Sequence, residues 1–397
     1  MAIDKFGPNA FATGSVTSDA LATGTIATAD IADDAVTTAK VADTVNLGRR
    51  NLVINGDFRV WQRGTAHSGV STAGYHADRF YFYPQNSSAV FQISQSTNTP
   101  NGFGNAYLVE VTTADTSIAS NEEVKIIHKL EGQDLQRFKK GTSDAQGFML
   151  SFYFQSTKTG TYVVELYDRD NGRDISKSIN VTDTNWNRYT LNFPSDTTGS
   201  FDNDANSSLE ISWWLVAGSA VQGGTLNESW RTATDPSSAT GQVNFGDSTS
   251  NYCRLTGIQL EVGDTATPFE HRSYGEELTL CQRYYQQPAG AMWGTITNGG
   301  GSFSNLWFTQ VLPVEMRADP TVSVLPKTIQ LRCWGGTSGN TSYGDRNFDG
   351  STITTINSAA YRKKNISGRF AIPSGITRGE LMLDRTDDGN FSVDAEL

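Results

Sequence analysis

Three stretches of alternating residues each leave an aromatic ring on the polar side of a strand, and those rings are the side chains best placed to do chemistry. In Phe148-Met-Leu-Ser-Phe-Tyr-Phe-Gln155 the even positions Phe148, Leu150, Phe152 and Phe154 make an apolar face, which leaves Tyr153 beside Ser151 and Gln155. In Tyr162-Val-Val-Glu-Leu-Tyr-Asp168, Val164 and Leu166 belong to a core face, with Val163, Glu165 and Tyr167 opposite. In Leu209-Glu-Ile-Ser-Trp-Trp-Leu215, Ile211, Trp213 and Leu215 point inward, and Trp214 shares the outward side with Glu210 and Ser212. A ring flanked by polar groups suits the apolar face and hydroxyls of a pyranose. Tyr153, Tyr167 and Trp214 are therefore a candidate stacking platform, provided that their strands share one sheet. The same rings suit burial beneath a neighbouring chain. A second candidate surface is the polar stretch from Trp334 to Gly350, where Trp334, Tyr343, Asp345 and Arg346 interleave rings with hydrogen-bonding groups.

Other chemistries find less support. Hydrolysis of a glycoside needs two carboxylates about 5 to 9.5 Å apart, and the many acids fall in no recognisable constellation. There is no GxSxG, HExxH or P-loop, and the 4 His are scattered. No enzyme, cofactor or metal is expected. Cys253, Cys281 and Cys333 are odd in number and far apart, which points to neither a disulfide framework nor a CxxC site. A net charge of -11 without clustered Lys and Arg disfavours nucleic acid and anionic membranes as partners. No apolar run approaches membrane-spanning length, and the Met1-Ala-Ile-Asp-Lys-Phe start lacks a signal-peptide core, so a soluble protein made in a cytosol is expected.

The elements that must hold these residues are mainly β. Abundant glycine (38 residues), few charged residues (18%) and polar turns predict short strands. The stretch from Asn51 to Gly64 predicts turns of positive φ at Asn55-Gly56 and Gly64, with Phe58, Val60 and Trp61 as a first buried strand edge. The clearest helix runs from Ser273 to Gln286, capped by Ser273 with Glu276 three residues on, with Leu278, Cys281 and Tyr285 on one face and Pro288 and Gly290 to stop it. Cys281 reads there as a packing residue. Strands resume from Phe303 to Leu312, and a last one ends the chain.

Before Leu47 the pattern is different. Val16, Leu21, Ile26, Ile31, Val36 and Val41 recur at every fifth position among Ala, Thr, Asp, Ser and Gly. That period fits neither a strand nor a helical seam. One aliphatic side chain is worth roughly 1.5 to 3 kcal/mol on burial, while ordering each backbone residue costs about 1 to 2 kcal/mol. An ordered form therefore needs identical chains around an axis, or a partner protein, to complete its core.

The stretch TIATADIADDAVTTAKVAD resembles the short repeats near the N-termini of bacteriophage fibre and appendage proteins. NLVINGDFRVWQRG, a central ADRF and the closing LTGIQLEVGDTATPFEHRSYGEELTLCQRYYQ are similar to the edges of the β-sandwich module of phage tail fibres, itself similar to jelly-roll carbohydrate-binding modules. PVEMRADPTV and the final strand resemble distal fibre domains. The resemblance implies an N-terminal stalk over residues 1–47, a jelly-roll-like sandwich over 48–272, a linking helix over 273–289 and a C-terminal β-sandwich domain over 290–397. It implies a virion fibre, a homotrimer joined to other virion proteins at its N-terminus, with host-surface polysaccharide as ligand; a purely architectural decoration is the alternative. The related modules often carry calcium held by an acid just after the opening NGxF and another in the closing strand. Arg59 and Gln259 stand there instead, and a hard cation needs oxygen ligands. Asp57, Asp78 and Asp264 read as local turn caps.

Overall fold

The computed structural model describes residues 49–233, 236–288, 292–295, 305–324, 330–334, 356–361, 363–371, 380–384 and 391–397. The repeat positions Val16, Leu21, Ile26, Ile31, Val36 and Val41 lie outside the described residues, as do Tyr343, Asp345 and Arg346.

The chain is mainly β. Its first strands are β1 (Ala66–Val70), β2 (Gly74–Tyr75), β3 (Phe80–Gln85), β4 (Val90–Ser96), β5 (Ala106–Thr113) and β6 (Glu123–Glu131). They are followed by β7 (Phe148–Ser156), β8 (Gly160–Asp168), β9 (Arg173–Val181), β10 (Asn187–Phe193), β11 (Ser207–Ala217), β12 (Arg231–Thr232) and β13 (Tyr252–Val262). These strands make two antiparallel sheets, a six-stranded one in the order β1-β4-β5-β13-β7-β10 and a seven-stranded one in the order β12-β9-β8-β11-β6-β3-β2. The pairs β2-β3, β4-β5 and β8-β9 are hairpins within one sheet, while the steps β5-β6, β6-β7, β7-β8, β9-β10 and β10-β11 cross between sheets, as in a jelly roll. The alternation read from the sequence sets the layers: Phe148, Leu150, Phe152 and Phe154 face Val164, Leu166, Ile211, Trp213 and Leu215 in one core. Within it Trp213 meets Phe152 edge-on at 5.7 Å and Phe138 stacks on Phe148 at 3.9 Å.

The opening stretch differs from its expected form. Phe58, Val60 and Trp61 are buried, but no strand runs through them. The Asn55 side chain accepts from the Val60 amide at 3.0 Å and donates to the Val60 and Asp78 carbonyls, so local turns satisfy the backbone that a ladder would have used. Asn55 takes the left-handed φ of 60°. Gly56 is demanded by close approach instead, since a Cβ there would sit 2.3 Å from the Ile258 carbonyl oxygen.

Helix α1 (Tyr274–Gln282) is shorter than its pattern suggests. Ser273 caps it, accepting from the Glu276 amide at 3.2 Å. It ends early because Tyr285–Gln286 is drawn out as a short strand, β14, paired with the end of the chain. Cys281 is buried against Ile54, Val60 and Tyr284, with Leu278 alongside; Tyr284, rather than the expected Tyr285, completes that contact. Burial raises the Cys281 thiol well above its usual range, as suits a packing residue.

The remaining strands are β15 (Met292–Thr295), β16 (Asn305–Val311), β17 (Thr321–Val324), β18 (Gln330–Trp334), β19 (Ile356–Tyr361), β20 (Asn365–Ala371), β21 (Glu380–Asp384) and β22 (Phe391–Asp394). They form three-stranded sheets in the orders β14-β22-β17, β15-β21-β18 and β16-β20-β19. Trp334, expected in a loop, is the last residue of β18. Strand β22 joins β14 to β17, and its end returns to the sandwich: Arg63 pairs with Asp394 at 3.1 Å and Glu396 at 3.3 Å, while Tyr75 donates to the Leu397 carbonyl at 2.7 Å.

Candidate functional site

The outward face of the seven-stranded sheet carries a groove of about 510 Å³. Register across β3, β6, β11, β8 and β9 builds its floor in rows. One row runs Tyr81, Ile127, Ser212, Glu165, Ser176. A second runs Lys129, Glu210, Tyr167, Asp174, and a third joins Tyr83 and Lys125 to Trp214. Period-2 alternation sends all of these to the same side while Phe80, Phe82, Val124, Ile126, Val164 and Ile211 fill the core. The groove therefore presents the partly buried rings of Tyr81, Tyr83 and Tyr167 among charged and hydroxyl groups, with Ala233 and Ser238 on one wall.

Tyr153, Tyr167 and Trp214 are not brought together as one platform. Tyr153 lies on β7 of the other sheet, where its ring packs 5.3 Å from Phe103. Only Tyr167 lines the groove. Trp214 points outward as its pattern requires but is 2% exposed. The connection between β11 and β13 folds back over it, and Val163, Ala217, Val221 and Ala239 close around the indole. Gln242 pins that connection by accepting from the Val163 amide at 2.8 Å and donating to the Leu215 carbonyl at 3.2 Å. Its alternation gave Trp214's direction; its cover comes from Val163 on β8 and from the connection that follows β11. The side chain of Trp334 falls outside what is described.

Charge in the groove is arranged in pairs. Trp214 Nε1 donates to Glu165 Oε2 at 3.0 Å, so the buried indole holds the carboxylate from behind. Lys125 Nζ sits 4.2 Å from the Trp214 ring centre and 2.7 Å from Glu123. Lys129 Nζ lies 4.9 Å from the Tyr81 ring centre and donates to the Leu397 carbonyl at 2.8 Å. Arg169 Nη1 donates to Glu210 Oε1 at 2.9 Å, with Lys129 Nζ 3.8 Å from the same oxygen. Burial pushes the Glu165 carboxyl up to about 7; Asp174 and Glu123 add to the rise, while Lys125 and the indole N–H oppose it.

That shift has a stability consequence. A carboxyl with a raised folded-state pKa stabilises the fold below its unfolded value and loses that contribution as pH rises through the folded value. Stability attributable to Glu165 is thus complete near pH 4.5 and fades through about 7. Glu165→Gln should flatten the decline in unfolding free energy over this window by up to about 3 kcal/mol. Chemical denaturation of both proteins at a series of pH values checks it, and parallel curves would contradict the assignment.

Sequence reasoning missed Tyr81, Tyr83, Lys125, Lys129 and Arg169. The first four were visible as alternation: Phe80 and Phe82 against Tyr81 and Tyr83, and Val124, Ile126 and His128 against Lys125, Ile127 and Lys129. Arg169 lies just past the end of β8, beyond any periodic signal.

The positions weighed for calcium are used otherwise. Arg59 Nε donates to Asp57 Oδ2 at 2.7 Å, and Gln259 Nε2 donates to Glu261 and Thr267 at 3.0 and 2.9 Å. Asp78 is no turn cap; buried, it accepts from the backbone and side chain of Gln62 at 2.7 and 2.6 Å. Asp264 accepts from the neighbouring Thr265 hydroxyl at 3.1 Å. Among the described residues no three His, Cys, Asp or Glu converge as metal ligands do, and no helix is long and apolar enough to cross a membrane.

No family model matches the chain, and no curated protein matches it. Solved structures similar to it include the enzymatically active domain of tailspike protein 4 from bacteriophage CBA120, at 10% identity and a TM-score of 0.27, covering 53% of this chain and 21% of that one. The chain thus spans about a fifth of the tailspike domain's length. A structure described as CBM4 is also similar, at 10% identity and a TM-score of 0.27, covering 53% of this chain and 99% of that one. The carbohydrate-binding module TmCBM61, solved with β-1,4-galactotriose, is 8% identical with a TM-score of 0.27, covering 54% of this chain and 99% of that one.

Proposed function

We propose that this chain is a structural appendage of a bacteriophage particle, a homotrimer anchored through its N-terminal repeat, that holds host-surface glycans in the groove of its seven-stranded sheet. The observation that carries the glycan reading is the face itself: Tyr81, Tyr83 and Tyr167 offer ring surfaces beside Ser212, Ser238, Glu165 and Arg169, the mixture that a sugar's alternating apolar and hydroxyl surfaces require. The particle role is supported by the five-residue repeat and by the fibre-like edge motifs.

The reading is one of binding without hydrolysis. Glu210 is held in an ion pair by Arg169 with Lys129 close by, so Glu165 lacks the second free carboxylate that glycoside hydrolysis needs beside it.

Retention of the full-length protein in gels containing host capsular or lipopolysaccharide glycans measures the binding. Tyr167→Ala and Tyr81→Ala should each weaken the dissociation constant roughly tenfold, the worth of one stacked ring. Binding that both variants leave untouched would remove the groove from the mechanism. Labelled antibody on intact particles tests the location, light scattering tests the trimer, and release of reducing sugar would overturn the non-enzymatic reading.

A further inference from the structure

Three cations line the groove of an acidic chain, Lys125 among them paired with Glu123 at its edge. The protein carries a formal -11, yet the side chains lining the groove include Lys125, Lys129 and Arg169 against the carboxyls of Glu165 and Glu210. Those carboxyls are already engaged. Glu165 accepts from the Trp214 indole, with Lys125 lying over the same ring. Glu210 lies under both Arg169 and Lys129. Arg169 is the most exposed of the groove's charged side chains, at 49%, and among the described residues its side chain makes one bond, from Nη1 to Glu210. A guanidinium has five N–H donors in a planar fork, so Arg169 keeps an edge able to take a carboxylate or sulfate in two parallel bonds. It stands one residue beyond Asp168, two positions from the ring of Tyr167, at the end of the tyrosine floor.

We infer that the groove selects acidic saccharides, a sugar ring lying on Tyr167 and Tyr81 while its carboxylate or sulfate pairs with Arg169, with Lys129 and Lys125 supplying further positive potential. This inference rests on the glycan reading above and adds the ligand's charge class. A net charge of -11 opposes the general attraction of a polyanion to this chain, so retention of one requires a local cluster of cations. Glu165 modulates it. The charged groups facing that carboxyl are Lys125 and Glu123 from β6 and Asp174 from β9, with the Trp214 indole from β11. As pH falls through the titration of Glu165 the groove loses a negative charge, and acidic ligands bind more tightly.

The test compares polygalacturonate, alginate and hyaluronate with the carboxyl-reduced form of each, in which linkage and ring are kept and only the charge is removed. Retention of the full chain is measured at low and high salt. The expected result is retention of at least one acidic polymer, tighter than its reduced form by roughly ten- to a hundredfold, with the difference shrinking as salt rises. Arg169→Gln should collapse the ratio of acidic to reduced affinity toward one, and Arg169→Lys should restore part of it; thermal melts of both establish that this half-exposed position leaves the fold intact. Tyr167→Ala should weaken acidic and reduced forms alike. Equal binding of acidic and reduced polymers overturns the charge preference while leaving the glycan reading standing. An unchanged ratio in Arg169→Gln overturns the assignment to this residue. Binding to no polymer in either form overturns both.

Discussion

Lys140→Met should destabilise the protein by about 3 to 5 kcal/mol, the cost of leaving a buried charge without its partner. The Lys140 side chain is 1% exposed, and its ammonium lies 2.7 Å from Asp168 and 3.1 Å from Asp196. It also donates to the carbonyls of Thr198 and Gly199 at 2.6 and 3.1 Å. Four oxygens thus surround one cation, and the two carboxylates depend on it unequally. Asp196 keeps Arg173 at 2.7 Å, whereas Asp168 keeps only the neutral Asn171 amides. Most of the cost therefore falls on Asp168, and adding Asp168→Asn to Lys140→Met should recover a large part of it. The loss appears as a fall of roughly 10 °C in melting temperature. A single variant within about 1 kcal/mol of wild type, or a double variant worse than the single, would contradict the account.

Glu396→Ala should be comparably severe, again about 3 to 5 kcal/mol, and should act first on the end of the chain. Arg79 is fully buried, pairs with Glu396, donates to the Lys129 carbonyl at 2.6 Å and lies 3.4 Å from the centre of the Tyr284 ring. Glu396 also holds Arg63 at 3.3 Å, and Arg63 lies 3.5 Å from the Tyr285 ring centre. Removing the carboxylate takes from Arg79 its one acidic partner among the described residues and from Arg63 one of several, since Arg63 keeps Asp394 at 3.1 Å. Removing Arg79 leaves Glu396 with Arg63, so Arg79→Met should cost less than Glu396→Ala, although the arginine is the larger side chain. Hydrogen exchange should localise the damage: amides of β22 and β14 lose protection in Glu396→Ala before those of β7 and β13. Uniform loss across the sandwich would mean that the end of the chain is not an independently released clasp.

How far the fold was legible follows from what each residue's neighbours in sequence can specify. Alternation in 148–155, 162–168 and 209–215 placed Phe148, Leu150, Phe152, Phe154, Val164, Leu166, Ile211, Trp213 and Leu215 on the core face, because a strand's period of two is a local property. The Ser273 cap was legible for the same reason. The length of α1 was not, since it is cut short by pairing of Tyr285–Gln286 with Val393 and Asp394 more than a hundred residues later. Nor was the absence of a strand through 58–61, where the Asn55 amide side chain replaces a ladder, although the positive φ at Asn55 and Gly64 was legible.

The candidate site divides along the same line. Sequence alone determined that Glu165, Tyr167, Glu210, Ser212 and Trp214 point away from the core, that the chain is mainly β, and that a regular repeat precedes the sandwich. Tertiary structure decided which of these residues meet. It set β7 in one sheet and β8 with β11 in the other, which separates Tyr153 from Tyr167. It laid Val221 and Ala239 over Trp214, converting an exposed ring into the support of Glu165, and it brought Tyr81 and Lys129 from distant strands to the same floor. The physical reason is that the direction of a side chain is fixed by its own backbone, whereas its exposure and its partners are fixed by strand order and loop cover, which depend on burial and hydrogen bonding summed over the whole chain.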